Sequence, residues 1–469
     1  MPKTKYNHQI HNCMEKKTFQ SLLPKLILWM LILLYINTGK AFSQSTLENK
    51  TSLKQCLDLA LTHHASIKTA NFNLEKAKED SRQNFSSGLP QVSASGSYEN
   101  YFKIPTQLIP GEFFGYPAGT LVPVQFGTKH NITGSMDATQ LIFNKTWFES
   151  LKLYKQMIEE ATISQQKSRE EVIYEISKLY YSLQVMAEQI ETMKGSKLKL
   201  DTVSDIVTAQ VKQGFAKQTD ADRVKISSLN LLTQIESLQN LYEAQLSLLK
   251  YRMGMNVTQP LELEKVNETI ETETSATPDL KQNSDLMLIR MKGSMAKQNI
   301  NLQRASFFPT LAAFGKYSFQ SQSNDFKPFD SSNEWYKIAL VGIQLNVPIF
   351  TGFRNSAAIQ KAKLDLKISE LVLNDSEQQL KIQYKNALNN LYTARFVAER
   401  QQLNFKLADD VYKQSLVQYK QGITSLTDLL NAETLRLEAR ANYLKAINDI
   451  RLARIEIFKL NGTTEQLTR

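Results

Sequence analysis

The chain carries one pattern twice, and this duplication limits the fold more than any other feature. Leu89-Pro90-Gln91-Val92-Ser93-Ala94-Ser95-Gly96-Ser97-Tyr98 lines up with Phe308-Pro309-Thr310-Leu311-Ala312-Ala313-Phe314-Gly315-Lys316-Tyr317, 219 positions later. Leu141-Ile142-Phe143 meets Pro348-Ile349-Phe350 at an offset of 207. Lys212-Gln213-Gly214 with Thr219-Asp220 meets Lys420-Gln421-Gly422 with Thr427-Asp428 at 208, and Gly254 meets Gly462 at 208 as well. Landmarks that keep nearly one offset describe an internal structural duplication. Each half reads as helix, strand, long loop, strand, very long helix, turn, helix.

Proline and glycine mark the boundaries. Residues 354–461 contain no proline and one glycine, Gly422, while 149–253 contain no proline and only Gly195 and Gly214. Such stretches are helical. Val172, Ile176, Leu179, Leu183, Met186, Ile190 and Met193 step 4-3-4-3-4-3, the rhythm of a coiled-coil seam. Leu391, Ala394, Ala398, Gln401, Phe405, Ala408, Tyr412, Ser415 and Tyr419 keep that rhythm with smaller and more polar side chains. From about 149 to 212 and from about 355 to 420, such helices run roughly 95–100 Å at ~1.5 Å per residue. The expected object is elongated.

The interrupting blocks, 85–148 and 307–353, hold 22 of the 43 aromatics and 10 of the 17 glycines in under a quarter of the chain. Here the period is two. Val92, Ala94, Gly96 and Tyr98 alternate with Ser93, Ser95, Ser97 and Glu99, and Ile132, Gly134, Met136 and Ala138 alternate with Thr133, Ser135, Asp137 and Thr139. Ala339, Val341, Ile343, Leu345 and Val347 alternate likewise with Leu340, Gly342, Gln344 and Asn346. Strands of about ten residues with one apolar and one polar face, and with Trp147 and Trp335 near their ends, fit outer-membrane barrel strands. A half-buried antiparallel sheet in a soluble domain has the same alternation. The segment 101–130, with Pro105, Pro110, Pro117 and Pro123, is expected to be an extracellular loop.

The N-terminus bears on location. Lys16, Lys17 and Lys25 precede the apolar run from Leu26 to Ile36, and Ala41-Phe42-Ser43 offers small residues for cleavage after Ser43. This is the pattern of a secretory signal, and eleven apolar residues reach only about half of a ~30 Å hydrocarbon core. No later stretch has 18 consecutive apolar residues, so a membrane crossing would have to be made by strands. The formal charge of +10 owes half its excess to residues 1–43, so no nucleic-acid surface is indicated. Cys13 and Cys56 supply neither a disulfide framework nor a CxxC pair. No GxSxG, HExxH, P-loop or dinucleotide fingerprint is present, so no enzyme, cofactor or metal site is expected. His63 and His64 are expected on a helix surface, and the interleaved Lys and Glu of the long helices on solvated or tunnel-lining faces.

Geometry connects the pieces. One hairpin per half gives four strands per chain, and four strands cannot close a barrel in lipid, where an open edge leaves backbone groups unsatisfied. Three copies give twelve strands, within the range of such barrels, and rotational symmetry closes the ring. A polar strand face continued by a tube of helices makes a conduit.

The residues resemble the TolC family of outer-membrane efflux proteins over about 52–462. Ser52-Leu53-Lys54-Gln55-Cys56-Leu57-Asp58-Leu59-Ala60-Leu61 is similar to the family's opening helix, although His63-His64 stand close to where an Asn-Pro is frequent. Val347-Pro348-Ile349-Phe350-Thr351-Gly352 is similar to its passage from last strand to long helix. Tyr419-Lys420-Gln421-Gly422 followed by Thr427-Asp428-Leu429-Leu430-Asn431-Ala432 is similar to its second helical hairpin. The implied fold is a mixed α/β membrane protein: a long periplasmic α-helical coiled-coil barrel plus a transmembrane β-barrel of four strands per chain, twelve in a homotrimer. The implied partners are outer-membrane lipid, a periplasmic adaptor protein and an inner-membrane pump, with the pump supplying the energy. The expected organisation is a signal peptide at 1–43 and a first repeat at 44–254, with a β-hairpin at 90–143 and a tip near 214–220. A linker or equatorial region at 255–284 follows, then a second repeat at 285–462 with a β-hairpin at 309–350 and a tip near 422–428, and a tail at 463–469. A type I protein secretion duct is an alternative within this class, and a secreted coiled-coil structural or adhesion protein is one outside it.

Residue roles carried by the resemblance concern the narrow periplasmic mouth. Asp428 fits a first acidic ring and Asn431 replaces the second acid; Tyr419 fits a locking tyrosine and Thr424 stands where the family's locking arginine is expected. Asp220, the repeat partner of Asp428, matches the position that receives the arginine, so that lock cannot form in the same way here. From the residues alone two readings of Asp428 stay open: a pore ring that attracts cations, or an acid that stabilises the N-terminus of the returning helix, as Asp220 and Asp222 are read to do. Gly214 and Gly422 are assigned as helix C-caps that permit the turns.

Overall fold

The computed structural model describes residues 50–268, 280–326 and 334–468. The signal segment 1–43 and residues 269–279 of the expected linker lie outside the described residues, and the fold below is that of the unit Thr51–Arg469.

Helix α1 (Leu53–His63) starts at a capping box between Ser52 and Gln55 and is followed at once by α2 (Ala65–Ser86). The break between them is His64, which is 9% exposed rather than on the surface, and whose Nδ1 accepts the Ser66 N–H at 3.1 Å. It serves as the N-cap of α2, the work an asparagine does elsewhere. Burial and the charge of Arg252 push its imidazole pKa down, which keeps the ring able to accept.

Strands β1 (Gln91–Asn100), β2 (Thr106–Pro110), β3 (Leu121–Gln125) and β4 (His130–Asn144) lead to α3 (Lys145–Lys212) and α4 (Gln218–Arg252). The second half repeats the plan with α5 (Ser284–Ala305), β5 (Thr310–Ser323), β6 (Trp335–Asn346), α6 (Arg354–Lys420) and α7 (Leu426–Asn461). Helices α3 and α6 have 68 and 67 residues, about 100 Å each at ~1.5 Å per residue. Four helices end in the same way at repeat-related positions. Gly214, Gly254, Gly422 and Gly462 take φ of +67° to +80°, and the N–H of the next residue returns to a carbonyl five residues back, as in Phe215 to Gln210 and Ile423 to Gln418. This is the Schellman ending, for which glycine has no Cβ penalty.

The four long strands form one antiparallel sheet in the order β1-β4-β5-β6, so the hairpin of each half lies beside the other. Its register places Val92, Ala94, Gly96 and Tyr98 on one face with Met136, Ala138, Tyr317, Phe319, Val341 and Ile343. The other face carries Ser93, Ser95, Ser97, Thr133, Ser135, Asp137, Lys316, Ser318 and Gln320, with Lys316 3.6 Å from Asp137. The apolar face has no cover among the described residues: Val341 is 89% and Ile343 70% exposed. Within the segment 101–130, β2 and β3 form a separate two-stranded ribbon. Pro110 and Pro123 are compatible with it because a two-stranded ribbon consists only of edges.

The helices attach to the sheet through aromatic and ionic contacts. Asn144 caps α3 by accepting the Trp147 N–H, and the Trp147 indole donates to the Asn84 carbonyl at 3.1 Å. Glu149 is buried between Lys145, Lys152 and the Gln298 amide of α5; those partners pull its carboxyl pKa down to about 2. Further along, Cys56, Leu57 and Ala60 pack with Ile173, Ile176, Tyr180 and Leu183 of α3 and with Leu246 and Leu249 of α4. Residues 261–264 cross this region, where Thr51 bridges Leu263 and the Tyr180 hydroxyl donates to the Thr51 carbonyl.

Candidate functional site

The two helical hairpins end side by side. Val203, Val207 and Val224 of the first share one core with Tyr412, Leu426, Leu429 and Ala432 of the second, and Tyr419 is packed against it. At the second tip Ser425 is the N-cap of α7 and Asp428 its third residue, and together they form a capping box. The Asp428 carboxylate accepts from the Ser425 hydroxyl at 2.7 Å, the Thr424 hydroxyl at 3.1 Å and the Ser425 N–H at 3.3 Å. These donors lower its pKa, so the fully exposed carboxylate is held as an anion. The helix-stabilising reading of Asp428 is therefore realised in the fold, and its exposure leaves the charge available to a pore as well.

Thr424 and Asp428 are thus brought together. Burial, and then the charge of Asp220, raises the Tyr419 phenol pKa. Asn431 is exposed one turn further along α7. Gly214 and Gly422 make the turns. Sequence reasoning missed Arg223, whose Nη1 donates to Thr427 Oγ1 at 2.8 Å and so links α4 directly to α7. Arg223 is the repeat partner of Asn431, so comparing the two halves position by position would have singled it out.

A second missed cluster lies behind the tips. Arg436 and Glu433 are 7% and 4% exposed and form a bidentate pair with N···O distances of 2.7 and 2.8 Å. Arg436 also donates to Ser196 Oγ of α3 and lies over the Tyr412 ring of α6 at 4.9 Å. Burial alone would lower the guanidinium pKa, but the Glu433 carboxylate more than offsets it and the net shift is upward. In the first half the position equivalent to Arg436 is Ser228, which donates to Asp201 at 2.8 Å, and Lys197 donates to the same carboxylate at 2.7 Å. Higher on α7, Arg440 reaches Glu188 and Glu268, and Arg451 reaches Gln184 and the Asn267 carbonyl. These arginines attach α7 to α3 and the linker. With Glu149, Glu170 and Glu433 buried, not all of the interleaved Lys and Glu lie on solvated or tunnel-lining faces.

Comparison with known proteins gives the same outline. Residues 279–463, the second half, match the outer membrane efflux protein family. The chain is 20% identical over 361 residues to the outer membrane protein TolC of Vibrio cholerae, spanning 71% of the chain and 77% of TolC. It is 22% identical over 317 residues to the alkaline protease secretion protein AprF of Pseudomonas aeruginosa, spanning 64% of each. Its fold is similar to that of the Campylobacter jejuni CmeC outer membrane channel, with a TM-score of 0.70 at 18% identity over 88% of this chain and 86% of CmeC.

Proposed function

We propose that three copies of this chain form an outer-membrane channel that serves as the passive exit duct of a tripartite efflux system. The observation that carries the reading is the four-stranded antiparallel sheet, apolar on one face and polar on the other, with both outer edges unpaired among the described residues. In lipid such a sheet has to close, and three copies supply twelve strands. The polar rows of Ser93, Ser95, Thr133, Ser135 and Gln320 then line the lumen, and the long helices continue it into the periplasm. Drugs, metabolites or metals would pass through, driven by an inner-membrane pump through a periplasmic adaptor, with no reaction on this chain. At the far end three Asp428 carboxylates surround the axis, with Thr424, Tyr419, Asp220 and Asn431 beside them.

The name of AprF supports a second reading, in which the duct releases a secreted protein; the inner-membrane partner separates the two. A secreted coiled-coil scaffold leaves the duplicated two-faced hairpins without a use. The purified protein in planar lipid bilayers is expected to give stepwise conductance. A membrane that stays silent after insertion overturns the channel.

A further inference from the structure

We propose that the seam between copies is a pairing of β6 with β1 of the partner subunit in one definable register, with Ile343 opposite Ala94 of the partner subunit. This rests on the channel reading above. It goes beyond that reading by fixing which residues meet.

Three constraints converge. First, β6 runs toward the long helices and β1 runs away from α2, so the two edges meet antiparallel. Second, a slip of one residue exchanges the faces and would put serines on the apolar side, so only every other register is allowed. Third, the row of cross-strand partners that starts at Gln91 passes through Thr139 and Phe314 to Gly342, four residues short of the end of β6. Under rotational symmetry that row re-enters the next sheet higher up β1. A shift of four residues across four strands gives a strand tilt of about 35°, within the ~35–45° of membrane barrels. A shift of two gives about 19°, too flat for such a barrel. A shift of six fits the tilt but sets Gln91 of the partner subunit against Pro348, which has no N–H to give.

The four-residue register also uses both strands completely. Asn346 meets Gln91 of the partner subunit at one end and Lys337 meets Asn100 of the partner subunit at the other, so all ten residues of β1 are paired. On the apolar face it joins two complementary features. Val341 is 89% exposed, the most of the large hydrophobic side chains of β6, and Gly96 has open space where a Cβ would be. Within the chain, Gly134 and Gly342 are each covered by the ring directly opposite, Phe319 and Phe314. Placing Val341 opposite Gly96 of the partner subunit extends that pattern across the seam. Directly below, the exposed Ile349, Phe350 and Phe353 come level with the exposed Phe85 and Leu89 of the partner subunit. A left-handed backbone at Gly352 and Phe353 leads this segment into α6.

The test is disulfide capture in the full-length protein in outer membranes under mild oxidant, read on non-reducing gels. Ile343→Cys is combined in one chain with Val92→Cys, Ala94→Cys or Gly96→Cys. Of the two native cysteines, Cys56 is fully buried and does not compete, and Cys13 lies in the expected signal segment and is replaced by Ser in every variant. Two strands separate β1 from β6 within a sheet, so a bond between them has to join copies. The pair Ile343→Cys with Ala94→Cys is expected to convert most of the chain to a covalent three-chain ring, and the other two pairs to give far less. Capture mainly through Val92→Cys or Gly96→Cys overturns the register and leaves the channel intact. No capture with any pair overturns the β6–β1 seam, and light scattering on the same sample then tells whether the trimer fails with it.

Discussion

Asp428 shows how one side chain serves two ends. Its carboxylate closes the capping box of α7, yet it is fully exposed and held anionic by three donors. If three such groups ring the channel axis, Asp428→Asn removes the ring charge while leaving side-chain oxygen for the cap. The expected effect is a loss of block by multivalent cations on the order of tenfold, with the oligomer unchanged. Cation block equal to that of the wild type would remove Asp428 from the constriction. Much of this residue level was legible. Gly214 and Gly422 announced themselves because the turn needs positive φ, and Asp428 because an acid in a first turn has a standard use. Arg223 and His64 were not legible, since a lone arginine or histidine on a helix does not say what lies across from it. Packing placed Thr427 beside Arg223, and the break between α1 and α2 turned the His64 ring to the Ser66 N–H.

At the scale of elements, the question is what joins one hairpin to the other. Periodicity revealed the seams, and Val172, Ile176 and Leu183 are buried as their spacing requires. It could not reveal that Arg436 leaves the solvated face, because Arg436 and Glu433 are three apart and read like any surface pair. Arg436→Met leaves Glu433 buried without its counter-charge, which costs about 3–5 kcal/mol. Thermal unfolding in detergent is the readout. Adding Glu433→Gln to Arg436→Met is expected to recover part of the loss, since the uncompensated charge is then gone. If the double variant is as unstable as the sum of the two single variants, the pair is not coupled. The ribbon β2–β3 stayed hidden for a different reason: prolines inside short strands suppress the strand signal, and only cross-strand register makes the pairing visible.

At the scale of the whole molecule, an incomplete object explains the most. The apolar sheet face, the two strand edges unpaired among the described residues and the exposed Val347–Phe353 passage are costs to a chain standing alone in water, and in the proposed channel each would be answered by lipid or by another copy. Counting strands against the requirement for closure already led there from sequence, because a duplication with one hairpin per half fixes the number at four. The measurement that tests this account most directly is the protein mass of the detergent-extracted mature particle, by light scattering corrected for bound detergent. A particle of three chains from the outer-membrane fraction is the predicted result. A monomer or dimer that stays in solution without detergent would contradict it.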